Sequence, residues 1–234
     1  MQLFYNSELN ETTKTFNFSK DESHHIVKVL RKSTGDILMI TNGIGWTFEA
    51  EVVIPNHNKC VVNILSSKYE PPKDYTVHLV VSPTKMNDRY EWFIEKATEI
   101  GVTFITPIIT HNSERKVVKT ERFEKIIQSA MKQSLNSYLP TLGAAVTFSE
   151  FIKTHHKGNN FIAHCALGEK LKLKDQIKPG TSITILIGPE GDFSPQEIAS
   201  AIENDYTPVS LGNSRLRTET AAIVACHTIQ LCNE

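Results

Sequence analysis

The sequence predicts an α/β protein: a mostly parallel sheet covered by helices over residues 72–234, preceded by a small β-barrel-like module over residues 1–71. Three observations carry this. Tyr69-Glu-Pro-Pro-Lys-Asp74 is a seam, because two prolines flanked by charge cannot continue the interior of a strand or helix. Before it, short β-like runs are bounded by Gly, Asn or Pro. After it, strands and helices alternate, which is the pattern of a parallel sheet with helical crossovers.

In the first module the strands are expected at Asp36–Thr41, Thr47–Ile54 and Cys60–Leu65, with Asn42-Gly-Ile-Gly45 as the turn between the first two. One helix is expected over Lys20–Lys32, with Ser19 or Asp21 as N-cap and Ile26, Val29 and Leu30 as its apolar face. Beyond the seam, Tyr75–Ser82 is a β-branched run. Asn87–Ile100 is an amphipathic helix, with Trp92, Phe93, Ala97 and Ile100 at helical spacing and Gly101 as C-cap. Then follow a strand at Phe104–Ile109, helices at Glu121–Leu135 and Ser149–His155, and strands at Phe161–Leu167 and Ser182–Ile187. Pro195–Glu203 is a helix with Ser194 as N-cap and proline at its first position. Thr207–Leu211 is a short strand, and Arg217–Leu231 closes the chain as a helix capped by Thr218.

Composition narrows the classes. Lys+Arg 25 against Asp+Glu 26 gives a net charge of -1, and 40% hydrophobic with 22% charged residues excludes disorder by composition. Apolar runs such as Val77–Val81 fall far short of the ~20 residues a membrane helix needs, so no membrane partner is expected. Met1–Asn10 lacks the basic head and apolar core of a signal peptide, which points to a cytoplasmic protein. Cys60, Cys165, Cys226 and Cys232 form no C-x-x-C pair, and His155-His156 has no third ligand at a metal-like spacing, so no metal is expected. The balanced charge leaves nucleic-acid binding to local patches.

Two segments carry chemistry. Ile183–Ile187 runs into Gly188-Pro-Glu-Gly191, where glycines at a strand end let backbone approach a ligand. Leu211-Gly-Asn-Ser-Arg-Leu-Arg-Thr-Glu-Thr-Ala221 is again a strand end, a glycine and a polar turn, now opening a helix whose free N–H groups could hold a polar group. Both lie at carboxyl ends of strands expected to be adjacent, where one pocket would be lined twice. Neither matches the Rossmann or P-loop glycine pattern.

Ile187-Gly-Pro-Glu-Gly191 followed by Leu211-Gly-x-x-x-Leu-Arg-Thr-Glu-Thr-Ala221 resembles the RsmE family, SPOUT-class methyltransferases that act on N3 of a uracil in small-subunit (16S) ribosomal RNA. His24-His-Ile-Val-Lys-Val-Leu-Arg31, Lys96-Ala-Thr-Glu-Ile-Gly-Val102 and Gln133-Ser134 with Pro140 agree with the family's pattern in order along the chain. The resemblance implies a SPOUT-type domain with a C-terminal trefoil knot over 72–234, a PUA-like RNA-binding domain over 1–71, S-adenosyl-L-methionine as methyl donor, and a homodimer with the pocket near its interface. It implies cofactor contacts from Leu186, Ile187, Gly188, Pro189, Glu190, Gly191, Leu211, Gly212, Leu216, Arg217, Thr218, Thr220 and Ala221, with Cys165–Gly168 as a third wall. Within that frame Arg217 would stabilise negative charge developing on the uracil ring, and Glu219 or water would take the N3 proton. Lys28, Arg31, Lys32, Lys85 and Arg89 are the expected RNA contacts, on the free ribosomal RNA or the assembled small subunit. Another RNA target, or a catalytically idle RNA-binding module, are the alternatives.

The chain departs from the family pattern at several places. Asp192 stands where a second glycine is usual, Ser214 and Arg215 exchange the place of an arginine, and Asn136 replaces an arginine after Gln133-Ser134.

Overall fold

The structure is a computed structural model that describes residues 2–154 and 158–234. The chain divides into two compact units, Met1–Pro72 with Met131–Leu139, and Lys73–Ala130 with Pro140–Glu234. The stretch Met131–Leu139 therefore clusters with the first unit, although sequence alone groups it with the second.

The first unit is a five-stranded mixed sheet. Its strands are β1 (Leu3–Tyr5), β2 (Thr15–Asn17), β3 (Ile37–Thr41), β4 (Trp46–Ile54) and β5 (Val61–Tyr69), in the order β1-β3-β4-β5-β2. Only the β1–β3 pairing is parallel. Alternate inward residues bury Phe4, Leu38, Ile40, Phe48, Val52 and Val62 in one core with Ile26. The turn over 42–45 forms as expected: Asn42 Oδ1 accepts from the N–H groups of Ile44 and Trp46 at 3.0 and 3.2 Å, and Gly43 and Gly45 take φ of 76° and 93°. β5 runs four residues past the expected Leu65. Ser66–Tyr69 are polar or exposed, so nothing in their pattern marks a strand; pairing with Trp46–Glu49 makes them one.

The helix is shorter than Lys20–Lys32. It is α1 (Lys20–His24), capped by Ser19, and widens into a π-helical turn over His25–Val29. Arg31 then takes φ of 55°, which ends it. Segment 131–139 docks through backbone: Ser137 O accepts from Gly45 N at 3.0 Å and from Thr41 Oγ1 at 3.1 Å.

The second unit is an all-parallel sheet of β6 (Val77–Val81), β7 (Phe104–Ile109), β8 (Thr141–Leu142), β10 (Asn159–Ala163), β11 (Leu171–Lys172), β12 (Ile183–Ile187) and β13 (Thr207–Ser210). Their order is β11-β13-β10-β12-β6-β7-β8, and β9 (Val146–Thr147) pairs with β7. The helices are α2 (Asn87–Ile100), α3 (Thr120–Gln133), α4 (Phe148–Phe151), α5 (Pro195–Glu203) and α6 (Thr218–Leu231). β12 is buried along its whole length, as its β-branched and apolar run, broken only by Thr184, suits a strand covered on both faces. α6 packs against α2, β6 and β12; its buried Ala222, Ala225 and Cys226 allow the close approach.

Several expectations shift. β10 is Asn159–Ala163 rather than Phe161–Leu167, and Leu167 is fully exposed in the loop that follows. α4 is capped by Thr147 in a reciprocal box with Glu150 and ends at Phe151; His155 and His156 lie outside the described residues. On α2, Phe93 and Ala97 are buried as expected, Trp92 is 45% exposed, and Tyr90, Ile94 and Thr98 complete the buried face. β1, β2, β8, β9 and β11 are two or three residues long and exist by pairing alone, so no periodicity announces them. Among the described residues no helix is long and apolar enough to cross a membrane.

Gly101 ends α2 at φ of 103°, and a Cβ there would come within 3.2 Å of Gln230 Nε2. Gly101→Val is expected to destabilise the fold by about 1–2 kcal/mol, since a β-branched residue is strained in this left-handed conformation. Urea denaturation measures it.

Candidate functional site

The carboxyl ends of β10, β12 and β13 open into a cavity of about 620 Å³, within the range of small-molecule sites. The strands bearing the two glycine motifs are not neighbours: β10 lies between them. The pocket is therefore lined three times. Ile187, Gly188, Pro189, Glu190 and Asp192 come from the β12 end. Leu211, Gly212, Leu216, Arg217, Thr218 and Ala221 come from the β13 end and the first turn of α6, with Ala163, His164 and Cys165 from the β10 end.

Of the expected cofactor residues, Leu186, Gly191 and Thr220 are not among the cavity's lining residues. Leu186 points into the core with Val80, Ile108 and Ile162. At Gly191 a Cβ would meet Asn112 instead. At Gly188, which lines the cavity, a Cβ would press on the Phe193 ring at 3.1 Å. Gly212 takes φ of 143° with open space around a notional Cβ, so here the constraint is backbone conformation alone.

The two motifs are joined by one bond. Contrary to the expectation, Thr218 does not cap α6; Arg217 is the N-cap residue, and its side chain makes no capping bond. Thr218 is the first helical residue, buried, and its Oγ1 donates to Gly188 O at 2.9 Å. The β12 turn is also held by other strand ends. Ser82 N donates to Ile187 O at 2.9 Å, Lys85 N donates to Glu190 Oε1 at 3.0 Å, and Asn112 Nδ2 donates to the carbonyls of Gly191 and Asp192 at 3.0 and 3.1 Å. Asn112, His164 and Lys170 carry no motif, so sequence reading missed them. Burial holds the His164 imidazole below its ordinary range, the Lys170 charge adding to this and Asp192 opposing it.

Arg217 and Glu219, expected as a catalytic pair, part company. Arg217 is exposed on the cavity wall. Glu219 is 6% exposed, does not line the cavity, and sets Oε1 3.8 Å from Arg89 Nε, while its buried Oε2 has no hydrogen-bond partner among the described residues. Among the other expected RNA contacts, Lys85 is exposed and paired with Glu114 at 3.0 Å, Lys32 lies 3.6 Å from Asp36, and Lys28 and Arg31 are exposed.

The fit to S-adenosylmethionine rests on the lining. Ile187, Val209, Leu211 and Leu216 offer apolar surface, and the irregular backbone over 211–217 offers donors and acceptors outside any ladder.

Comparison with known proteins follows the same division. Residues 71–230 match the RNA methyltransferase domain, and residues 18–65 the RNA methyltransferase PUA domain. Ribosomal RNA small subunit methyltransferase E of Rickettsia conorii is 30% identical over 98% of this chain and 95% of its own. That of Bacillus subtilis is 27% identical over 96% and 93%. A crystal structure described as a probable rRNA-methyltransferase from Porphyromonas gingivalis superposes with TM-score 0.91 at 38% identity, covering 99% of each chain. Ribosomal RNA small subunit methyltransferase E from Neisseria gonorrhoeae, bound to S-adenosyl methionine, gives 0.86 at 26% identity over 100% and 98%.

Thr218→Val removes the bond between the motifs and leaves a buried carbonyl short of a donor. The expected loss is about 1–2 kcal/mol of stability, read from the urea midpoint.

Proposed function

This chain belongs to the RsmE family of RNA methyltransferases, a PUA-like unit joined to a SPOUT-type knotted domain, and from that premise we propose that it methylates N3 of a specific uridine in small-subunit ribosomal RNA. The observation that carries the reading is the cavity itself: both family motifs meet at one set of strand ends, tied by Thr218 and Gly188. S-adenosyl-L-methionine is the methyl donor, held by Ile187, Gly188, Pro189, Glu190, Leu211, Gly212, Leu216, Thr218 and Ala221. Leu186 supports the site from the core beneath it.

Bound, the donor supplies an electrophilic methyl group. The chain's own part is placement, and correct orientation can remove several kcal/mol of barrier. Arg217 stands on the cavity wall, and the acidic side chains of the two motif turns are engaged by other groups: Glu219 faces Arg89, Glu190 accepts from the Lys85 backbone, and Asp192 accepts from Cys165 N and Phe193 N. Its guanidinium is thus available to the uracil oxygens, where charge grows as the N3 proton leaves. Glu219 acts through Arg89, holding that side chain at the start of α2, and is a positioning residue. Lys85 and Arg89 then meet phosphate on the methyltransferase unit, and Lys28, Arg31 and Lys32 on the PUA-like unit, residues 1–71.

The enzyme acts as a homodimer. Trp92 on α2 and Leu231 at the end of α6 are exposed at 45% and 58%, and each is an apolar side chain that a partner copy would cover. Light scattering is expected to give twice the chain mass; a monomer at working concentration sinks this part.

The function is tested on small subunits from a strain lacking the gene. Nucleoside mass spectrometry is expected to show 3-methyluridine restored by the wild-type protein. Arg217→Ala should restore it about 10²–10³-fold more slowly, with cofactor affinity by calorimetry little changed. A different methylated nucleoside would move the target; wild-type turnover by the variant would remove Arg217 from the chemistry.

A further inference from the structure

Asp192 lines the cavity but belongs to neither glycine motif's expected contacts. It has φ of 62°, a region easy for glycine and tolerated by few other residues, Asp and Asn foremost. A strained residue at a site persists where surrounding contacts hold it. Here the side chain supplies them. Asp192 Oδ1 accepts from Phe193 N at 2.8 Å, and Oδ2 accepts from Cys165 N at 2.7 Å. The first bond is local. The second crosses from the β12 turn to the loop after β10. A carboxylate only accepts, so it suits two main-chain N–H groups.

Both sides of this contact are anchored. The Asp192 backbone is held by its own turn, its N–H donating to Pro189 O at 2.9 Å, and by Asn112 Nδ2 on its carbonyl. The β10 loop is gripped on its carbonyl side by Lys170, whose Nζ donates to His164 O at 3.1 Å and Ala166 O at 2.5 Å. Its N–H side is gripped by Asp192. A glycine at 192 would relieve the backbone and release the Cys165 N–H.

We propose that Asp192 is a positioning residue that latches the Ala163–Cys165 wall to the Gly188–Gly191 turn, and that this latch sets the affinity for S-adenosylmethionine. The second half rests on the cofactor reading above; the first does not. Asp192 acts by holding backbone, so its loss falls on cofactor KM more than on kcat.

The test compares Asp192→Gly and Asp192→Asn with the wild-type chain. Without cofactor, the backbone amides over residues 163–166 of Asp192→Gly are expected to exchange hydrogen at least about threefold faster, because the loop opens more often. Its dissociation constant for S-adenosylmethionine is expected to rise about tenfold, the scale of one lost charge-assisted hydrogen bond. Asp192→Asn keeps one acceptor oxygen and falls between. Unchanged exchange overturns the latch. Faster exchange with unchanged affinity overturns its role in cofactor binding, and so does a loss borne by kcat alone. If the wild type itself binds no S-adenosylmethionine, the cofactor reading fails, while amide exchange still decides the latch.

Discussion

The site depends on β12 being paired on both edges, with β6 and β10, and buried on both faces. A strand so placed buries every side chain it carries, Thr184 included, and its chain must leave the sheet at the carboxyl end through a tight turn. Backbone groups leaving a ladder still need partners when buried. Here the Gly188 carbonyl takes its bond from Thr218, and the Ile187 carbonyl from Ser82 N. The first of these fixes where α6 begins. That in turn fixes where Arg217, one residue earlier, stands.

One helical turn sorts the charges of this end. Arg217, Thr218 and Glu219 are consecutive: Arg217 lies in extended backbone as N-cap, and about 100° of rotation separates Thr218 from Glu219 in the helix, so the three side chains take three directions. Arg217 goes to the cavity, Thr218 to the β12 turn, and Glu219 inward toward Arg89. A carboxylate in the first turn of α6 is also favoured by the helix dipole. Its burial beside Arg89 couples the starts of α2 and α6, so the polar residues of the motif serve three different surfaces.

The third wall follows from strand order. With β10 between β12 and β13, the loop after β10 must close the gap between the two motif turns. That loop is held by side chains, its own Lys170 and Asp192 of the β12 turn, rather than by secondary structure of its own.

The sequence by itself determined the α/β class, the seam at Pro71-Pro72, and the bounds of α2, α5 and β7, where apolar period, caps and terminating glycine agree. It also determined the two motif turns, because a buried apolar run ending in glycine states both where a strand stops and that backbone is exposed there. Tertiary structure alone decided which strands are neighbours, that β5 extends through polar residues, that 131–139 clusters with the first unit, and that Glu219 turns from the cavity. Each of these depends on pairing between residues far apart in the chain. Such contacts leave no local period, and hydrogen-bonding partners such as Asn112, Lys170 and Thr218 become visible only when the fold brings them to a carbonyl or an N–H that needs them.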